Sequence, residues 1–184
     1  MNLFRTLGGA ALVCLAGAGL SSCLNAPDYS DTPHIDVNGV TVFKIRGAAA
    51  GKLGNRDSVE IALNFQDGTG DLGLGNADTT GVYTRKGGNR YYNNYFVNVY
   101  YKDKASGTFL PFPLPVNFTY NGRFFRLTKT DARPGPLKGV LRYAIVFSNY
   151  SPETVPGTVM RFNVSIADRA LHESNVVTTD PATL

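Results

Sequence analysis

The chain has 184 residues, with 18 Lys and Arg against 14 Asp and Glu for a formal charge of +4, two Cys, two His, no Trp, 10 Tyr and 11 Phe. So mild and scattered a positive balance excludes a nucleic-acid partner, because proteins that bind phosphate backbones concentrate Lys and Arg on one face or helix. Cys14 and Cys23 both fall in the N-terminal segment, which leaves the body of the chain no disulfide and no cysteine nucleophile.

The first element is a leader. Arg5 supplies a short positive region, and the apolar run from Leu7 to Leu20 follows it. That run is shorter than the ~20 apolar residues needed to cross a bilayer. It ends in Leu20, Ser21, Ser22 and Cys23. These four residues resemble the lipobox of bacterial lipoprotein signals: Leu, two small residues, then Cys. The resemblance implies removal of residues 1–22, diacylglycerol on the Cys23 thiol and acylation of the new amine. Loss of Arg5 would lower the formal charge from +4 to +3. The implied address is the cell envelope, with the membrane reached through the lipid. Leu24, where an Asp would signal inner-membrane retention, favours the outer membrane. Residues 23–33 read as a lipidated flexible tether, since Leu24 to Pro33 is small, polar and proline-bearing.

From residue 34 onward the dominant signal is alternation. Ile35 to Ile45 reads as a strand with a bulge or turn near Asn38-Gly39. Val59, Ile61, Leu63 and Phe65 alternate with Glu60, Ala62, Asn64 and Gln66, the period-two pattern of a half-buried strand. Tyr91 to Tyr101, Leu141 to Phe147 and Met160 to Ile166 read the same way. Asn121-Gly122, between Val116–Tyr120 and Arg123–Leu127, predicts a hairpin. Pro111, Pro113 and Pro115 forbid a regular central strand and predict an edge segment or crossover. No window carries a helical apolar stripe. The expected fold is all-β: an antiparallel β-sandwich of about seven strands on an immunoglobulin-like plan, with residues 34–184 as a single domain.

One segment carries metal-ligand chemistry. Asp67-Gly68-Thr69-Gly70-Asp71-Leu72-Gly73, continuing to Asn76 and Asp78, places oxygen side chains at alternate positions with glycines between them. Asp67, Thr69, Asp71 and Asp78 stand at relative positions 1, 3, 5 and 12, an EF-hand-like spacing suited to calcium, which takes ~6 to 8 oxygen ligands. Leu72 stands where the EF-hand turn needs Gly. The same residues also read as a tight glycine turn in which Asp67 and Asp71 bond to their own backbone. The loop, with the later segment from Asp168 to Asn175, resembles a group of uncharacterised Gram-negative envelope lipoproteins bearing a DGDGDLG loop. The group implies a lipid-anchored immunoglobulin-like sandwich and no assigned activity, and this chain departs from its pattern at Thr69, where an Asp is expected. In a sandwich the second and last strands run to opposite poles. Asp67 and Asp168 are therefore expected at opposite ends, with Asp57 the neighbour of Asp168 and Arg169.

Other signals are weaker. Asp168, His172 and Ser174 supply triad residue types without an oxyanion hole, so no enzyme is expected. Tyr91, Tyr92 and Tyr95, interleaved with Arg85, Lys86 and Arg90, offer an aromatic surface for a glycan or protein partner, or else an ordinary tyrosine-rich strand. The expectation is a lipid-anchored binding or structural module of the envelope. It requires no cofactor unless the acidic loop holds calcium, and its partners are the membrane, an envelope protein or a glycan.

Overall fold

The computed structural model describes residues 27–129, 131–148 and 152–184. The leader, Leu20, Ser21, Ser22 and Cys23 lie outside the described residues. Among the described residues no helix is long and apolar enough to cross a membrane.

The alternating segments form strands β1 (His34–Ile45), β2 (Arg56–Asp67), β3 (Tyr95–Lys102), β4 (Phe109–Pro111), β5 (Leu137–Ser148), β6 (Val159–Ile166), β7 (Val177–Thr178) and β8 (Ala182–Thr183). One sheet has the order β1-β2-β5 and the other β4-β3-β6-β7, with β8 also on β6. Every pairing is antiparallel. The order corresponds to the A-B-E and C′-C-F-G sheets of an immunoglobulin-like sandwich. Two short pieces, β7 and β8, together occupy the place of its last strand.

The core follows from period two. Val59, Ile61 and Leu63 of β2 are fully buried, as are Met160, Phe162, Val164 and Ile166 of β6, and the two rows meet across the sandwich with Leu141, Ile145 and Phe147. Each such side chain contributes roughly 1.5–3 kcal/mol by leaving water. In β1 the register slips between Val37 and Gly39, leaving Asn38 as the extra residue of a bulge. Phe109–Pro111 pairs only with β3 at the sheet edge, and the chain then crosses to the other sheet, as the three prolines require.

The Asn121-Gly122 hairpin is not formed. Gly122 instead exchanges two backbone bonds with Tyr95 at 2.9 and 3.0 Å, and Asn121 Oδ1 accepts the Val97 N–H at 2.8 Å. A Cβ on Gly122 would overlap the Tyr143 hydroxyl, so this glycine serves a close approach rather than a turn. The apolar residues around it divide: Val116 is 91% and Phe125 74% exposed, whereas Phe124 joins the core.

Of the tether expected over residues 23–33, the later described part is seated on the body. Ser30 O accepts the Gly68 N–H at 2.8 Å, and Pro33 is buried. Both contacts lie at the pole where β2 ends.

Candidate metal centre

Asp67 is the last residue of β2 and has no exposed surface. The loop after it turns sharply because Gly70 adopts φ +66, and any Cβ there would collide with Gly135 O. Leu72 and Leu74 then drop into the interior at 0% and 2% exposure. This explains why Leu72 replaces the EF-hand glycine: it is a core plug, and it pairs with Asp168 in an isolated antiparallel bridge.

That bridge overturns the expected separation of Asp67 from Asp168. The segment ending at Ile166 is the sixth strand rather than the last, because β7 and β8 follow it. At two residues each they are too short to show period two. In the sandwich, β2 and β6 point toward the same pole, so their ends meet. One carboxylate oxygen from each of Asp67, Asp71 and Asp168 lies within 4.8 Å of the other two. Asp57 is not the neighbour of Asp168. It sits at the start of β2, fully buried, with its Oδ1 2.5 Å from Arg46 Nη2.

The three carboxylates are held from behind. Asp67 Oδ2 accepts the Asp71 N–H at 3.1 Å, and Asp71 Oδ2 accepts the Ala170 N–H at 3.1 Å. Thr69 Oγ1 donates to Asp71 Oδ1 at 2.7 Å, so Thr69 orients a carboxylate. Asp168, 2% exposed, accepts the His172 N–H at 2.7 Å and faces His172 Nδ1 at 2.9 Å. Asp67 Oδ1 is buried and accepts no hydrogen bond. Burial, followed by the charge of Asp71, raises the Asp67 carboxyl above its usual range. Burial also raises Asp168, with the Asp71 charge adding to it against the opposing His172 bonds. The Asp168 bond and charge raise His172 in turn. Among the described residues no Lys or Arg makes an ion pair with any of the three carboxylates.

Asp78 does not join them. Its Oδ2 accepts the Gly75 N–H at 2.6 Å and lies 2.9 Å from Arg126 Nη2. Burial would raise this carboxyl, but the Arg126 and Gly75 bonds hold it below its usual value. The tyrosines also separate. Tyr95 is fully buried and stacks on Tyr143 at 4.1 Å, so it belongs to the core and to no binding surface. Tyr91 donates to Glu173 Oε1 at 3.1 Å, while Tyr92 lies between the guanidinium groups of Arg85 and Arg123 at 6.0 and 5.2 Å. Ser174 is no nucleophile for the Asp168–His172 pair: its hydroxyl accepts the Ile166 N–H and donates to Asn175 O. Asp168 was the residue that sequence spacing missed, and a correct strand count would have found it.

Comparison with protein-family models, curated proteins and solved structures returns no match to this chain.

Proposed function

We propose that this protein is a lipid-anchored module of the cell envelope, held by acylated Cys23 and acting by binding or bridging rather than by catalysis. The observation that carries the reading is the seating of Ser30 on Gly68. Seven residue-to-residue steps lead from Cys23 to Ser30, a reach of at most about 25 Å at ~3.6 Å per step. The lipid would therefore hold the Asp67 pole close to the membrane, with the opposite pole and its loops facing outward. The engaged Ser174 hydroxyl supports a non-enzymatic role. Labelling cells with an alkyne fatty acid, then fractionating them, tests the anchor. Wild-type protein should take up label and sediment with outer membrane; label on Cys23→Ser would overturn the reading.

A second reading is favoured by one surface. Tyr92 and Phe118 line a cleft of about 450 Å³ with Arg85, Arg90, Asn117 and Asn121. An aromatic ring among amides and guanidinium groups suits a sugar, including an acidic one. Glycan-array binding that is lost in Tyr92→Ala would support this reading, and an array without signal would remove it.

A further inference from the structure

We infer that Asp67, Asp71 and Asp168 bind one divalent cation, calcium, which fastens the loop after β2 to the turn after β6. Two observations meet here. Two carboxylates of the loop after β2 and a third, Asp168, from about a hundred residues further along the chain present oxygens within 4.8 Å of one another. Independently, the fully buried Asp67 keeps Oδ1 without any hydrogen-bond donor. A glycine turn explains only part of this. The Asp71 N–H occupies Oδ2 of Asp67 and the Leu72 bridge holds Asp168 alongside, but nothing in the turn satisfies Oδ1. A buried carboxylate with one oxygen lacking a donor and two like charges beside it is unfavourable without a counter-charge.

The donor set selects the ion. All three ligand groups are hard oxygens, which suit calcium or magnesium rather than softer metals. Three oxygens within 4.8 Å of one another can surround a cation held about 2.3–2.6 Å from each, and ligands drawn from two loops suit calcium's flexible geometry better than the near-ideal octahedron that magnesium demands. Thr69, Ala170 and His172 supply the supporting bonds that orient ligating carboxylates. Asp71 also lines a cleft of about 240 Å³ shared with Arg126, Lys129, Arg133 and Arg169, a basic surround that the three carboxylates must outweigh. Asp78, neutralised by Arg126, is not a ligand. The site needs no lipid, so it stands or falls separately from the anchor.

The test uses the full mature chain carrying Cys23→Ser, stripped with chelator. Calcium should raise its melting temperature by about 5–10 °C at a hundredfold excess over Kd, and magnesium by much less. Asp71→Asn and Asp168→Asn should abolish the shift, while Asp78→Asn should keep it. Asp67→Asn discriminates further: it should melt no lower than wild type in chelator, yet lose the calcium response. A carboxylate serving only as a hydrogen-bond acceptor would instead lower the melting temperature in both conditions. Terbium luminescence of the wild-type chain, displaced by calcium, reads the site without any variant. No thermal shift and no displaceable terbium signal at about 10 mM calcium, above the ~10⁻⁴–10⁻³ M class of extracellular sites, would overturn the inference. An equal response to magnesium would overturn the assignment to calcium.

Discussion

Strand β2 carries a fully buried aspartate near each end, Asp57 one residue from its start and Asp67 at its last position, and the two are treated differently. At one end Asp57 meets the guanidinium of Arg46, which also donates to the backbone carbonyls of Ile45 and Arg56. At the other, Asp67 meets two more carboxylates. Each aspartate keeps one oxygen without a hydrogen bond, Oδ2 of Asp57 and Oδ1 of Asp67, so an unbonded oxygen alone does not distinguish them. Charge does. Arg46 answers Asp57 directly, whereas among the described residues no Lys or Arg pairs with Asp67, Asp71 or Asp168 and only His172, when protonated, faces Asp168, so burial of Asp67 calls for a further partner.

Arg46→Ala should break this contrast most severely. It leaves Asp57 as an uncompensated buried charge and should cost about 3–4 kcal/mol, toward the low end for a buried pair because the Arg46 side chain is 32% exposed. Urea unfolding would measure the loss, and calcium should not restore it. Leu72→Ala should cost about 3 kcal/mol through the cavity it leaves, and should weaken the calcium response by loosening the loop that carries Asp71.

The two poles should also part in their response to pH. Asp67 and Asp168 have folded-state values above their unfolded ones, so the native protein holds their protons more tightly than the unfolded chain does. In chelator, stability should therefore rise as pH falls from neutral toward about 4. His172 acts in the same direction: its raised value gives stability that is complete below about 6.5 and lost as pH climbs through the folded value. Calorimetry across pH 4–8 should show this acid gain in chelator and its loss in excess calcium. Below about 4 the trend reverses, because Glu173 and Asp78 have lowered values and lose their contribution as they are protonated. The smallest effect is expected from Asp78→Asn, about 1 kcal/mol from the partly exposed Arg126 pair, with the calcium shift intact.

The sandwich was legible wherever one face of a strand meets the core and the other meets water. Val59 to Phe65 and Met160 to Ile166 announced themselves through alternation because their inward residues are almost wholly buried. The failures have physical causes. Asn121-Gly122 carries the local chemistry of a hairpin, but Gly122 is required beneath Tyr143, a contact set by the fold as a whole. Tyr95 looks like a surface aromatic until its stacking on Tyr143 is seen. Thr69 and Asp78 fit a ligand spacing counted along the chain. The carboxylates converge through space, and β7 and β8 are too short to reveal which pole Asp168 occupies.

The contacts of Ser30 and Pro33 with the body have a mechanical consequence. A pull on the chain ahead of Pro27 enters the sandwich through β1, an edge strand, and is directed along its axis. Eleven registered residue pairs join β1 to β2. Drawn lengthwise, they share the tension together, as in a lap joint, instead of parting one after another like a zipper. The grip at Ser30 and Gly68 takes up strain before the ladder does. Under the proposed anchoring at Cys23, a load on the body would meet this ladder in shear, and rupture would be set by the ladder as a unit.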